Sequence, residues 1–207
     1  MVPATPRATP YAASLDIRYV GGIPGRYTFP GMGERTVYSC RTASLSPTMA
    51  VLAAPVIAAL GERVALRLDH VGLVNGTVVQ RLPDGFRIEL IGTDEDRRKL
   101  AAKINWLKKR SLRRADDKRA GARFQPKNPK GHLHVEGAEH DCFIIDLSVS
   151  GAALSARIVP AVGTAVIIGR VTARVVRHLE GGFGVQFDTP HTMATVEAEV
   201  TAERAPP

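Results

Sequence analysis

Five residues of this chain have types and spacing that could do ligand chemistry: Arg119, Arg123, Asp146, Ser148 and Gly151. They form R-x-x-x-R, then a gap, then D-x-S-x-x-G. A guanidinium can fork onto the O6/N7 edge of a guanine, stack on its face, or clamp a phosphate. An ionised Asp accepts from ring and amino N–H donors, which arginine cannot do. Ser148 offers a short hydroxyl contact, and Gly151 lets backbone approach a ligand closely. Each half alone has an ordinary explanation. Arginines with the same spacing recur at Arg63/Arg67, Arg110/Arg114 and Arg170/Arg174, where a solvated basic face suffices. D-x-S-x-x-G alone reads as a polar turn, with Gly151 supplying positive φ. Order, spacing and flanks lift the pair above both readings, because the acidic motif ends the apolar strand-like run Cys142-Phe143-Ile144-Ile145.

With these flanks the pattern resembles the PilZ domain, a small β-barrel that binds cyclic di-GMP. The resemblance implies that Arg119 and Arg123 come from a loop folding over the ligand. Asp146, Ser148 and Gly151 would lie on the barrel surface beneath it. Lys118 stands just before R-x-x-x-R, where in this family a basic residue accompanies an intercalated ligand dimer. Two ligands per chain are therefore expected. The resemblance also implies an output through a protein partner, in motility, surface polysaccharide or biofilm control.

The elements needed to position such a site are readable. Apolar residues make up 44% of the chain, enough for real cores, and β-branched residues carry much of the strand signal. Short alternating segments are expected as strands at residues 15–20, 36–43, 49–54, 63–69, 73–80 and 86–91, with residues 21–25 as a loop. Asn75-Gly76 and Pro83-Asp84-Gly85 are expected as turns, with a bulge as the alternative for Asn75-Gly76 because it lies inside one of these strands. A second series is expected at 132–136, 141–147, 152–156, 165–168, 172–178 and 184–187. Thr189-Pro190 is expected to open a short final helix with Met193, Val196 and Val200 on one side.

Between the two series, Thr93 is expected to cap a helix. Asp94, Glu95 and Asp96 fill its first turn, and Lys108, Lys109 and Arg110 stand near its end, both matching the dipole. Leu100, Ile104 and Leu107 make a stripe for packing on a barrel or partner helix. From Asp94 to Arg123 there are twelve Lys/Arg against five Asp/Glu, so nearly all of the net +8 sits in this one segment.

The halves also align on each other. The stretch from Cys40 to Met49 runs against Cys142 to Gly151, Gly61 falls on Gly163, and Val78 to Leu82 matches Val175 to Leu179, with Gly85-Phe86 on Gly182-Phe183. Ser44 then replaces Asp146 and Met49 replaces Gly151. Upstream, Arg26 aligns with Arg123 and Gly22 with Arg119. The expected fold is mainly β: two small antiparallel PilZ-like barrels joined by a basic helix, with a short C-terminal helix. Residues 1–13 are expected to be disordered, 14–92 a degenerate barrel, 93–114 the helix, 115–190 the ligand-binding domain and 191–207 a helix and tail.

Several classes are set aside. No Ser-His-Asp order, P-loop or H-E-x-x-H pattern suggests an enzyme, and no cofactor is expected. His132, His134, His140 and Cys142 crowd one hairpin at a spacing that could suit zinc. The repeat already accounts for Cys142, however, and no second thiolate is near. The N-terminus lacks an apolar signal region, and the longest apolar run is too short to span a bilayer, so a cytoplasmic protein is expected. The rival readings are an adaptor that has lost the ligand and a nucleic-acid binder using the basic helix, the latter ranked lower.

Overall fold

The computed structural model describes residues 17–30, 36–113 and 123–202. The expectations for residues 1–13, Lys118, Arg119 and the loop at 115–122 lie outside them. Two closed antiparallel barrels of six strands are built in succession. The first contains β2 (Pro24–Thr28), β3 (Tyr38–Leu45), β4 (Met49–Ala53), β5 (Arg63–Leu68), β6 (Gly72–Leu82) and β7 (Gly85–Ile91). A two-residue strand, β1 (Tyr19–Val20), pairs with the end of β3. The second contains β8 (Lys130–Val135), β9 (Ala138–Ser148), β10 (Gly151–Ala156), β11 (Ala165–Ile168), β12 (Val171–Leu179) and β13 (Gly182–Phe187). Both close in the same order, so β2 to β7 correspond to β8 to β13 one by one.

Irregularities repeat as well. In β3 the register against β4 slips at Ala43, and in β9 the register against β10 slips at Ile145. Val79 in β6 and Val176 in β12 are skipped in the same way. Gly61 and Gly163 both have positive φ, at 79° and 93°, and each donates its N–H to a strand carbonyl, Val78 or Val175, at 2.8 Å. A bulge needs one extra residue at a defined place, so its recurrence at matching sites marks one architectural plan used twice.

Two sequence expectations fail for the same reason. Residues 24–25, expected in a loop, begin β2, and Asn75-Gly76 is paired on both sides inside β6 rather than forming a turn or a bulge. A β-carbon on Gly25 would fall 2.7 Å from the Arg67 carbonyl oxygen, and one on Gly76 would fall 2.7 Å from that of Glu89. These glycines serve close approach between strands rather than turns.

Each barrel is plugged by the helix that follows it. The helix α1 (Asp94–Arg113) sends Leu100, Ile104 and Leu107 into the first core. Thr93 and Asp96 cap its start reciprocally: Thr93 N and Oγ1 donate to the Asp96 carboxylate at 3.0 and 2.7 Å, and Asp96 N donates to Thr93 Oγ1 at 3.2 Å. The short α2 (Val196–Thr201) buries Val196 and Val200 in the second core. This final helix begins later than expected, and Met193 is exposed outside it.

Cys40 and Cys142 occupy matching places, each buried in its own core. Burial pushes the Cys142 thiol up to about 12, with the Asp141 charge adding to the effect, and pushes Cys40 up as well. Among the described residues, no helix is long and apolar enough to cross a membrane.

The barrels touch along β3 on one side and β9 and β10 on the other. All six residues of β10 are buried, and the small side chains of Ala153 and Ser155 make up its outer face. Ser39 N donates at 3.2 Å both to Ser155 Oγ and to the Gly181 carbonyl. Ion pairs Arg26–Glu180 and Asp84–Lys130, the latter at 2.8 Å, bridge the barrels at the rim.

Candidate functional site

The D-x-S-x-x-G stretch forms the β9–β10 hairpin. Asp146 on β9 pairs with Ala153 on β10, and Ser148 faces Gly151 across a turn of Val149 and Ser150. Ser148 Oγ donates to the Gly151 carbonyl at 3.1 Å. The hairpin tip is fixed from behind: His191 N donates to Val149 O at 2.7 Å, and Phe187 N to Ser150 O at 2.9 Å. The acidic half is therefore a rigid platform.

Gly151 carries a correction. Its backbone is not in the left-handed region, so no positive φ explains it. A β-carbon there would meet the Val185 carbonyl oxygen at 2.4 Å. The glycine is needed because β10 and β13 backbones approach closely at that point.

The basic half reaches the platform through one backbone bridge. Phe124 N donates to Leu147 O, and Leu147 N donates back to Phe124 O, both at 2.8 Å. The antiparallel pairing puts Arg123 and Asp146 on one face as diagonal neighbours, and Arg123 Nη1 donates to Asp146 Oδ1 at 2.9 Å. The pair is only partly covered, with side chains 47% and 28% exposed. Such a pair contributes on the order of 0.2–1 kcal/mol. A ligand with donors for the carboxylate and acceptors for the guanidinium can separate the two at little cost.

Of the six residues expected to bind ligand, Arg123, Asp146, Ser148 and Gly151 are thus brought onto one lip of the second barrel. Lys118 and Arg119 fall outside the described residues. His132 and His134 stand outside this lip. They face Glu139 and Asp141 across the β8–β9 hairpin at 3.3 to 3.5 Å, while Cys142 is in the core.

The first barrel holds a counterpart that the sequence alignment misplaced. Tyr19 bridges Leu45 as Phe124 bridges Leu147, so Arg18, not Arg26, is the equivalent of Arg123. Arg18 Nη2 donates to Ser44 Oγ at 2.9 Å, in the same place as the Arg123–Asp146 contact. Ser46 matches Ser148, and its hydroxyl likewise closes its turn onto the Met49 carbonyl, at 3.2 Å. Arg26 lies on β2 between Ser39 and Arg67 and pairs with Glu180 of the other barrel. The glycine-rich run before β2 has no apolar pattern to anchor an alignment; only cross-strand pairing sets the register.

Residues 113–202, from the end of α1 through α2, match the family model described as the PilZ domain. No curated protein matches the chain. Among solved structures, the chain is similar to Borreliella burgdorferi PlzA in complex with c-di-GMP, at 12% identity and TM-score 0.31, covering 92% of this chain and 95% of that one. It is also similar to the Bacillus subtilis inhibitor of motility MotI/DgrA, at 13% identity and TM-score 0.27, covering 86% and 93%. Escherichia coli YcgR in complex with c-di-GMP gives 12% identity and TM-score 0.23, covering 86% and 80%.

Proposed function

We propose that the chain is a cyclic di-GMP receptor whose second barrel holds the ligand and whose first barrel presents the signal to a protein partner. The observation that carries this reading is the Phe124–Leu147 bridge, which seats Arg123 on Asp146 at the lip of the barrel that matches the PilZ domain. Asp146 accepts from the N–H donors of a guanine, and Ser148 and the hairpin backbone line the floor. Arg123, with Arg119 from the loop, covers guanine edges and phosphates. Lys118 adds a cation for a second, intercalated ligand, so two ligands bind per chain.

The first barrel is read as a degenerate copy of the second, supported by its matching bulges and the Arg18–Ser44 contact. A neutral hydroxyl cannot supply the carboxylate that guanine recognition needs. Transmission runs through the 115–126 segment. It joins α1, whose apolar stripe is packed in the first core, directly to the site on the second barrel. Neutralising its cations with ligand phosphates draws it onto the second barrel and shifts how the barrels sit together. The output in motility, surface polysaccharide or biofilm formation rests on the family resemblance.

Calorimetric titration with cyclic di-GMP tests the reading. Saturation near two ligands per chain is expected. A flat titration would leave a ligand-free adaptor, and an endpoint of one would remove the intercalated dimer and Lys118's role.

A further inference from the structure

Arg41 stands on β3 of the first barrel, yet its side chain reaches the segment that carries Arg123. Its Nη2 donates to the Pro126 carbonyl at 2.8 Å, and its Nη1 to Gln125 Oε1 at 3.3 Å. The path is opened by Gly22, where a β-carbon would fall 2.4 Å from Arg41 Cδ. On the other side, the Glu197 carboxylate of α2 accepts from the amides of Lys127 and Asn128. Burial lowers the Arg41 pKa, and the Glu197 charge works in the opposite direction. The run from Phe124 to Asn128 is therefore held at three successive points: by Leu147, by Arg41 of the first barrel, and by Glu197.

We propose that Arg41 is a positioning residue for the nucleotide site, acting from the opposite barrel. It touches no ligand; it fixes the chain two and three residues beyond Arg123 and so holds that guanidinium over Asp146. The inference rests on the receptor reading for its ligand, but not for its geometry. A planar fork spanning a main-chain carbonyl and a side-chain carbonyl suits arginine, and lysine keeps the charge without the fork. Since the grip comes from the first barrel, any displacement between barrels loosens Arg123, and by linkage ligand capture tightens the barrels together.

The experiment uses the full chain with Arg41→Ala, Arg41→Lys and the control Asp84→Ala. The control removes the Asp84–Lys130 ion pair, which also joins the barrels, and keeps the bonds of residues 124–128 to Leu147, Arg41 and Glu197. Amide exchange is read without ligand, and cyclic di-GMP affinity by titration. In Arg41→Ala, exchange at Phe124, Lys127 and Asn128 should quicken about tenfold and affinity should fall about tenfold. Arg41→Lys should fall between it and wild type and stands in if the alanine variant does not fold. Asp84→Ala should change neither. Unchanged exchange in the Arg41 variants, an equal rise in Asp84→Ala, or loosened amides with wild-type affinity would each overturn the proposal. If the wild type takes up no cyclic di-GMP, the receptor reading falls, and amide exchange still decides whether Arg41 holds the segment.

Discussion

Arg18 donates to Ser44 in the first barrel at 2.9 Å, at the position where Arg123 meets Asp146 in the second. One strand pairing generates both contacts, and a single change of residue type separates a carboxylate acceptor from a hydroxyl. The two barrels thus share a frame and differ in chemistry.

That difference predicts which substitutions affect ligand. Arg123→Ala and Asp146→Ala each remove a charge-assisted hydrogen bond, about 1.5–3 kcal/mol. Cyclic di-GMP affinity should fall roughly ten- to a hundredfold, while Ser44→Ala should change it little. Titration of the three variants checks this, and wild-type affinity in Arg123→Ala would remove that arginine from the site.

Gly151→Ala should weaken the fold as well as the site. Its new methyl group meets the Val185 carbonyl oxygen, a backbone atom that cannot rotate away. A cost of about 1–3 kcal/mol is expected for such overpacking. Gly163→Ala has open space and only the penalty of positive φ, about 1–2 kcal/mol. Denaturant melts should show Gly151→Ala as the less stable of the two and the only one with lowered affinity.

Helix α1 should behave as part of the first barrel rather than as a free linker. Ile104 is fully buried in that core, so Ile104→Ala should destabilise by about 2–5 kcal/mol. Trp106 is 48% exposed, lies against His70 and beneath Arg110, and should cost less when replaced by alanine. Equal losses at the two positions would mean that the helix is not docked as described.

The start of α1 should respond to acid. Hydrogen bonds from the Thr93 hydroxyl and then its amide hold the Asp96 carboxyl below its ordinary value of 3.8. A depressed carboxylate contributes stability that is present above the unfolded value and lost as pH falls through the folded one. Wild type should therefore fray at this cap below about pH 4, whereas Asp96→Asn should already lack most of the difference between neutral and acid conditions. Helix signal followed from pH 7 to pH 3 checks it.

Most strands were legible because alternation of apolar residues is a local, periodic signal. The glycines at Gly25 and Gly76 misled for a physical reason: a missing side chain serves a turn or a close strand contact equally well, and only the neighbour across the sheet decides which. Arg18 was missed because its role depends on the Tyr19–Leu45 pairing.

By itself the sequence determined the mainly β class with two small barrels, the helix opened by Thr93, and the residue types that can meet guanine and phosphate. Those depend on local preference and on chemistry carried by single side chains. Tertiary structure alone decided the register of the strands, the partner of Arg123 and the face on which the barrels meet. It also decided that Arg41, on β3 of the first barrel, grips residues 125 and 126 beside the site on the second. These relationships join residues far apart in the chain, and they exist only where register and packing place two surfaces within a hydrogen bond of each other.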